Sequence, residues 1–280
     1  MTRRQRKIVQ ALSIYSLVGL ILLWVLIPIL YIVLASLQPE INLISIPLKI
    51  GFDDFGIGGY KDAFANDRLM DGLKNSAIVA GLATLIVLVV GLSAAYPLMR
   101  RTGRIRWWAI GMLATQTVPV ITLVIPVFIV LRNLNLLDQL GALSLVYAAF
   151  LLPISILILR NFLADVPESL ERAALIDGCT RFQAFRRVIM PIAAPGIAAV
   201  AIFVFINSWN EFLFALVLTG SNQTITVRLA ELQGSVFEGL DIPALAAATV
   251  IAVIPVLFVV IALHRTILSG IIARGGTVRG

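Results

Sequence analysis

The sequence predicts an all-α membrane protein with six transmembrane helices, and three observations support that fold class. Hydrophobic residues make up 60% of the 280 residues and charged residues only 13%, and no soluble domain accommodates the mean hydropathy of +0.99 on its surface. The alternating pattern of β-barrel strands is missing, which leaves helices as the spanning element. Uncharged stretches that reach the ~20 residues needed to cross a bilayer occur at 8–39, 75–99, 107–131, 139–159, 188–210 and 242–264.

Prolines interrupt several of these predicted helices. Pro28 predicts a kink in the first helix, over about residues 12–37. In the third helix Pro119 and Pro126 are predicted to break the regularity and, together with Gln116 and Thr117, to place polar groups at membrane depth. Plain helix packing around the prolines is the simpler explanation of that pattern. The fifth helix is predicted over about residues 193–218, without an interruption near its outer end.

Lysine and arginine are concentrated on one side of the predicted topology. Most of the 22 basic residues lie in the N-terminus, the 100–106 loop, the segment 160–191 and the C-terminus. By the positive-inside rule this side is cytoplasmic, with both termini and the tail 269–280, and the outer loops are 38–73 and 219–241. We therefore expect a multi-pass protein of the cell membrane. The net charge of +7 is explained by this topology in the lipid bilayer, so we expect no nucleic-acid partner.

The most structured polar stretch is residues 165–191, between two apolar runs. Asp165 as N-cap, Pro167 in the first turn and Glu168 predict the start of a helix that ends near Ile176. Gly178 then supplies a residue that tolerates the left-handed conformation in which many helices end. An ordinary connecting loop remains the alternative, but such a loop needs no pair of capped helices.

A second helix is predicted to follow this glycine. Thr180 and Gln183 have the spacing of a capping box, and Pro191 is predicted to open the next element. The apolar residues of both helices are spaced to share one buried side, which comprises Leu170, Ala173, Ala174, Phe182, Phe185 and Val188.

The run of Asn207, Ser208, Trp209, Asn210 and Glu211 is the second unusual feature. Ionisable and amide side chains inside a membrane usually face a cavity or a partner. Asn207, Asn210 and Glu211 fall on one helical face, at i, i+3 and i+4, and with Trp209 they are candidates for lining a substrate pathway. Bonding to neighbouring helices is the alternative.

The sequence R-A-A-L-I-D-G, nine residues, then V-I-M-P closely resembles the EAA motif of ABC-importer permeases, E-A-A-x3-G-x9-I-x-L-P. With the runs SLQPE, GLKNS, SWNEFLFALVLT and GGTVRG, the chain resembles the sugar-importer permeases of the maltose type along nearly its whole length. The resemblance implies the type I importer permease fold, with residues 1–280 as a single permease domain.

The resemblance also implies roles for one cytoplasmic segment and one outer loop. The EAA segment would dock into an ATPase subunit through Glu168, Glu171, Arg172, Ala173, Ala174, Asp177 and Gly178. Arg172 stands where the motif has glutamate, so Glu171, rotated by ~100° around the helix, or an acid on the ATPase would have to compensate. The 219–241 loop would reach toward a binding protein, with Ser221, Asn222 and Gln223 at its polar start.

The implied partners are a second homologous permease subunit, two ATPase subunits and an extracytoplasmic substrate-binding protein. ATP and Mg would be bound by the ATPases, and this chain would bind no cofactor and catalyse no reaction. The sequence itself contains no Walker motif, no catalytic triad and no metal-ligand cluster, and the single Cys179 excludes an internal disulfide. The alternatives are a permease of the same fold for a glycerol phosphodiester or a polyamine, and a non-transporting scaffold or ion channel.

Overall fold

The computed structural model describes residues 3–44, 54–100, 105–236 and 242–275, and every regular element in that part of the chain is a helix. Residues 276–280 of the predicted tail, 45–53 and 237–241 of the predicted outer loops, and 101–104 lie outside the described residues. The helices are α1 (Arg3–Ala35), α2 (Glu40–Ile44), α3 (Gly58–Ala65), α4 (Asp67–Leu98), α5 (Ile105–Thr115), α6 (Val120–Asn133), α7 (Leu140–Ala164), α8 (Glu168–Ile176), α9 (Arg181–Ala184), α10 (Met190–Asn210), α11 (Leu213–Leu218), α12 (Ile225–Val236) and α13 (Ile242–Gly275).

Five helical stretches of the described chain are long and apolar enough to cross a membrane. A sixth is formed if α5 and α6, which are bent by 81° at a short break, count as one span. The six predicted spans thus all correspond to helices, and the third is the broken pair. The five unbroken stretches are Ala11–Ala35, Asp67–Leu98, Leu140–Ala164, Arg181–Asn210 and Ile242–Ile267.

The break between α5 and α6 follows from Pro119. Proline disfavours the helical conformation of the residue before it, here Val118, and Pro119 itself is extended, with ψ 126°. The hydroxyls of Thr115 and Thr117 donate to the carbonyls of Met112 and Ala114, at 2.7 and 2.8 Å. Pro126 lies inside α6, which continues through it, so of the two predicted interruptions only the one at Pro119 divides the span. The predicted interruption is therefore a sharp turn of the chain at Pro119.

The predicted fifth helix differs from the structure at both ends. It begins earlier, because α9 continues into α10 through a π-helical turn, Phe185–Ile189. Pro191 lies in the first turn of α10, as expected, but has no N–H for the carbonyl of Arg187, so a wider turn replaces the regular ladder there. At the other end α10 stops at Asn210, and Glu211 is extended before α11 begins.

Residues 70–228 with 254–280 form one compact unit, in which α4, α7 and α10 share an apolar core. Gly196 allows α10 to approach α7 closely, because a Cβ there would lie 2.1 Å from Cγ of Phe162. A second cluster joins α6, α7 and α11. The buried side chains of these two clusters include Val87, Leu159, Leu163, Ile189, Val200, Val204, Val124, Leu143, Tyr147 and Phe214.

Residues 1–69 with 229–253 form the other compact unit. Within it the hydroxyls of Ser36 and Tyr60 lie 2.9 Å apart, and Gly59 packs directly against the carbonyl of Pro243. The span Ala11–Ala35 has no buried residue in its most apolar window, although its mean hydropathy is 2.9. Such an apolar exposed helix suits a lipid or protein environment. The prediction of a single domain over 1–280 stays a prediction.

Candidate coupling segment, outer loop and pathway residues

The helix α8 of the candidate coupling segment begins at Glu168, two residues later than an N-cap at Asp165 would place it. Val166 precedes a proline and leaves the helical conformation, and Pro167 takes the N-cap position with ψ 129°. Asp165 instead caps the C-terminus of α7, so its predicted N-cap role is wrong. The predicted end of the helix at Ile176 is confirmed.

The turn after α8 is closed by two backbone hydrogen bonds around Gly178. The N–H of Gly178 donates to the carbonyl of Leu175 at 3.2 Å, and the N–H of Cys179 donates to that of Ala174 at 3.0 Å. These two bonds form a Schellman motif, in which the first residue after the helix C-cap must adopt the left-handed conformation. Gly178 has φ +87°, as its predicted role demands.

The capping box that starts α9 is confirmed. The N–H of Gln183 donates to the Thr180 hydroxyl at 3.3 Å, and the Gln183 side chain accepts from the Thr180 N–H at 2.8 Å. Both helix termini at the glycine turn are thus fixed by local hydrogen bonds, which gives the segment a defined shape.

The predicted buried side of this segment is only partly correct. Ala174 is buried and Phe185 and Val188 are half-buried, but Ala173 is exposed, and Leu170 and Phe182 are 42% and 69% exposed. The buried positions are Ala184, the last residue of α9, and Ile189, at the end of the π-helical turn, which adds a residue to the helical period. The apolar side chains that the segment leaves on its surface are Leu170, Leu175, Ile176 and Phe182.

Glu171 ties α8 to the end of α4. The Tyr96 hydroxyl donates to its carboxylate at 2.8 Å, and the Arg100 guanidinium forms an ion pair with it at 3.4 Å. Arg100 also donates to the carbonyl of Val166 at 2.9 Å, just before α8. The Glu171 side chain is only 16% exposed. The chain therefore engages Glu171 on the bundle side of α8, away from the surface on which the motif position lies.

Arg172, at the motif position, is on the exposed side of α8. Its guanidinium lies 2.8 Å from the carboxylate of Glu168, one turn earlier, and the two side chains are 70% and 52% exposed. The hydrogen bond and the charge of Arg172 lower the pKa of Glu168. An exposed pair of this kind contributes little to stability. The surface of α8 thus presents a neutralised ion pair, with Ala173 beside it, where the motif has a lone glutamate.

Asp138 closes the start of the predicted binding-protein loop. Its Oδ1 accepts from the N–H groups of Gly220 and Asn222, at 2.8 and 2.9 Å, and its Oδ2 accepts from the N–H of Ser221 at 3.2 Å and from the Ser221 hydroxyl. The Asn222 amide also donates to the Asp138 carbonyl at 2.8 Å. Asp138 itself is left-handed, with φ 58°.

The electrostatics of this closure favour the ionised acid. Burial raises the pKa of Asp138, but the hydrogen bonds from Ser221 and from the backbone of residues 220–222 outweigh it and hold the pKa at about 2. A lowered pKa stabilises the closed loop at every pH above the ordinary value, and this stabilisation is lost only as the pH falls toward about 2.

The third predicted contact residue of the loop, Gln223, is held through its backbone carbonyl. Its carbonyl accepts from the Asn75 amide at 3.0 Å, and the next hydrogen bond along the chain joins the N–H of Ile225 to Ser76 at 2.8 Å. Ser221, Asn222 and Gln223 therefore all make contacts within the chain. Their contact with a binding protein stays a prediction, for which their internal bonds provide a fixed loop geometry.

Replacing Asp138 with asparagine is expected to open this loop. An amide presents one oxygen and one NH₂ group, so at least one of the converging N–H donors would face another donor. We expect Vmax of uptake in reconstituted vesicles to be retained within about twofold and the apparent KM for the loaded binding protein to rise about tenfold or more. Asp71→Asn, at an exposed surface pair with Lys74, is the matched control. An unchanged KM in the Asp138 variant would contradict this role.

The four candidate pathway residues occupy different environments. Trp209 is 2% exposed and stacks on Phe205, with ring centroids 5.6 Å apart. Asn207 and Asn210 are exposed, and the Asn207 amide donates to the carbonyl of Phe203 at 2.7 Å, within its own helix. Asn207 and Asn210 thus remain candidates for facing a solute, whereas Trp209 packs inside the bundle.

Glu211 is engaged at the break between α10 and α11. Its carboxylate accepts from the N–H groups of Phe214 and Ala215, at 3.0 and 3.2 Å, and from the Tyr147 hydroxyl at 2.6 Å. It therefore satisfies the first free donors of α11, as an N-terminal cap does. This is the bonding to a neighbouring helix that the sequence left open, and it places Glu211 at a structural junction.

Residues 75–272 of the chain match a family described as the binding-protein-dependent transport system inner membrane component. The chain belongs to this family. Its relatives include the sulfoquinovosyl glycerol transport system permease protein SmoH of Agrobacterium fabrum, 34% identical with 89% of this chain and 88% of that protein covered. Another is the trehalose transport system permease protein SugB of Mycobacterium tuberculosis, 36% identical with 92% and 93% covered.

The diacetylchitobiose uptake system permease protein DasC of Streptomyces coelicolor is also similar, at 36% identity over 90% of this chain and 91% of that protein. Among solved structures, a bacterial ABC transporter involved in the import of the acidic polysaccharide alginate contains a chain with the same fold. It gives a TM-score of 0.75 at 22% identity and covers 95% of this chain and 98% of that one. The predicted family and the predicted ABC-importer permease fold are both confirmed.

Sequence reasoning missed three residues that organise these sites. Asp138 contacts a loop more than 80 positions later, and Tyr96 and Arg100 contact Glu171 more than 70 positions later. No periodic pattern links residues so far apart. The only local signal was a short polar turn between two apolar runs at Asp138 and the first arginine of a basic turn at Arg100.

Proposed function

We propose that this chain is the permease subunit of an ATP-driven, binding-protein-dependent sugar importer. It would pair with a second homologous permease subunit, two ATPase subunits that bind ATP and Mg, and an extracytoplasmic binding protein. Both termini and residues 165–191 would lie in the cytoplasm, as the positive-inside rule predicts. The chain would catalyse no reaction itself.

One observation carries the coupling role: α8 has one side anchored and the other side free. Glu171 and Ala174 hold it to the bundle, the opposite side carries the exposed Ile176, and Phe182 of the following helix α9 is exposed as well. Exposed apolar side chains on an otherwise polar segment are typical of an interaction site. A helix attached rigidly on one side and docked to a moving motor on the other transmits rigid-body motion between the two.

Sugar is the substrate class supported by the relatives. Their printed names include trehalose, diacetylchitobiose and sulfoquinovosyl glycerol transport. The two exposed pathway candidates, Asn207 and Asn210, have uncharged amide side chains, which can form hydrogen bonds with the hydroxyl groups of a neutral solute. A permease for a polyamine or a phosphodiester would need opposite charges along its pathway, from this chain or from its partner.

The test is purification of the complex from cells that express the chain and its neighbouring subunits, followed by transport in vesicles. We expect an ATPase chain to co-purify and ATP-dependent uptake of at least one radiolabelled neutral oligosaccharide from a panel that includes trehalose and diacetylchitobiose. Uptake of spermidine or glycerophosphodiesters with no sugar uptake would overturn the substrate class. Purification without any nucleotide-binding chain would overturn the transporter assignment in favour of a scaffold or channel.

A further inference from the structure

An open groove runs along α5, in the compact unit that contains α4, α7 and α10. Its volume is about 540 Å³, and none of its lining residues is charged. Thr115 has a hydroxyl, but this hydroxyl donates to the carbonyl of Met112 at 2.7 Å and is satisfied within the helix. The groove therefore presents an apolar surface along most of its length. The residues that line it are Trp107, Trp108, Gly111, Met112, Thr115 and Pro153.

Gly111 leaves the middle of the groove open. It has no side chain, and a Cβ at this position would meet no atom within 4 Å. The two tryptophans at one end of the groove, Trp107 and Trp108, are 74% and 63% exposed. Exposed aromatic side chains around a concave apolar surface are typical of a binding site. We therefore looked for the ligand whose chemistry matches both the length and the charge of this surface.

The groove is about as long as one leaflet of a bilayer. The helical stretch Trp107–Thr115 is about 13 Å long at ~1.5 Å per residue. Half of the ~30 Å hydrocarbon thickness is a similar length. An acyl chain that enters at the tryptophans can thus extend from the membrane surface to the midplane, where Thr115 and Pro153 form the other end of the groove.

Positive charge is concentrated at the tryptophan end of the groove. The turn before α5 reads R-R-T-G-R-I-R, and its last arginine directly precedes Trp107. Arg160 adds a guanidinium at the same end, because it donates at 3.4 Å to the carbonyl of Leu98, the last residue of α4 before this turn. Arg160 also lies two helical turns after Pro153, on the same face of α7. By the positive-inside rule this end faces the cytoplasm.

The two indole rings supply hydrogen-bond donors at the charged end. Neither Trp107 nor Trp108 donates its indole N–H to an acceptor within the part of the chain that the structure describes. Tryptophan at a membrane surface keeps its ring in the apolar region and turns its N–H toward the polar headgroups. Both N–H groups are therefore available to ester or phosphate oxygens of a lipid.

We propose that this groove binds one anionic phospholipid of the cytoplasmic leaflet. The acyl chain lies along α5 over Gly111, and the phosphate is held at the tryptophan end by the indole N–H groups and Arg160. Basic segments beside transmembrane helices attract anionic headgroups on the cytoplasmic side. A choline headgroup carries a cation beside its phosphate, so the same arginines favour it less. This lipid site goes beyond the proposed transport function and requires neither sugar nor ATP.

A neighbouring subunit is the alternative cover for this groove. Helix interfaces in membranes are close-packed, and burial under an apolar helix would leave the indole N–H groups of Trp107 and Trp108 without acceptors, which is costly. Such a cover would also have to neutralise the arginines at the same end. An anionic lipid satisfies both requirements with one phosphate.

Photoactivatable lipids test this site in the assembled protein. The chain, purified with its accompanying subunits, is placed in phosphatidylcholine nanodiscs with a small fraction of either phosphatidylglycerol or phosphatidylcholine that has a diazirine on its acyl chain. After irradiation, lipid adducts on the tryptic peptide 107–132 are quantified by mass spectrometry and normalised to recovered peptide. Gly111→Leu fills the groove, and Arg160→Gln removes charge at its end. Gly81→Leu on α4 is the matched control, because Gly81 is exposed and a Cβ there also meets no atom within 4 Å.

We expect phosphatidylglycerol to give about fivefold or more adduct on this peptide than phosphatidylcholine. Gly111→Leu should lower the phosphatidylglycerol adduct about tenfold, whereas Gly81→Leu should leave it within about twofold. Arg160→Gln should reduce the preference for phosphatidylglycerol about twofold or more. The thermal stability of each variant is followed in parallel, so loss of the site is distinguished from loss of the fold.

Equal labelling by the two lipids in the unsubstituted protein would overturn the proposal, because every exposed membrane helix contacts bulk lipid. Labelling by neither lipid would also overturn it and show that a subunit covers the groove. An undiminished adduct in the Gly111→Leu variant would place the lipid elsewhere on the peptide and refute the site. Sugar uptake is not part of the measurement, so its failure leaves the transport assignment to its own test.

Discussion

Gly178→Val is expected to abolish ATP-driven uptake and substrate-stimulated ATPase activity while the protein still inserts into the membrane. The φ of +87° is left-handed, and a β-branched residue there costs about 1–2 kcal/mol or more, so the turn would reopen. Opening it would remove the hydrogen bonds of the Gly178 and Cys179 N–H groups to α8 and redirect the helix. Stimulated ATPase activity in vesicles, normalised to inserted protein, is the measurement.

Gly178→Asn is the matched control for this effect. Asparagine adopts the left-handed conformation far more readily than valine, and a Cβ at this position would meet no atom within 4 Å. Coupling should therefore be largely retained in the asparagine variant, with alanine between the two. If both variants lost the same amount of coupling, the cause would be the bulk of the new side chain at a docking surface and not backbone strain.

Glu171→Leu is expected to uncouple ATP hydrolysis from uptake. The substitution removes the acceptor for Tyr96 and leaves the Arg100 guanidinium, 29% exposed, without its carboxylate. Breaking a half-buried ion pair from one side costs more than an exposed pair contributes, because the remaining charge is poorly solvated. We expect sugar transported per ATP hydrolysed to fall about tenfold or more, since α8 would move without carrying the bundle.

The conservative variant Glu171→Gln separates positioning from folding. Glutamine keeps the size of the side chain and one oxygen that can accept from Tyr96 or Arg100, but it loses the negative charge and the second acceptor, so it should recover only part of the coupling. Tyr96→Phe, which removes one donor and keeps the ion pair, should lose a smaller part than Glu171→Leu. Thermal stability of the complex is followed in parallel. If all three variants transported as much sugar per ATP as the unsubstituted protein, the anchoring of α8 by Glu171 would play no part in coupling.

The sequence predicted well what depends on neighbouring residues. The six spans follow from hydropathy, and the left-handed Gly178 and the Thr180–Gln183 capping box follow from residue types with few conformational options. Pro119 likewise marked the interruption of the third helix, although its angle of 81° depends on how α5 and α6 pack.

Features that depend on distant contacts were not predictable. The break at Glu211 needs Tyr147 to support the carboxylate from another helix, so helical periodicity alone continued the fifth helix to residue 218. The predicted buried side of residues 165–191 assumed one regular helical period, which the π-helical turn interrupts. The inner side of α8 includes a glutamate, Glu171, that becomes favourable there only because Arg100 and Tyr96 meet it.

Photocrosslinking from Ile176 tests the central claim most directly. Ile176 is 85% exposed at the end of α8, and a benzophenone amino acid at this position would lie on the surface proposed to dock onto the ATPase. The same amino acid at Leu134, 60% exposed between α6 and α7, is the control on the predicted outer side. Irradiation of the assembled complex should give an adduct with the ATPase chain from position 176 and none from position 134. An ATPase adduct from position 134 but none from position 176 would contradict the account.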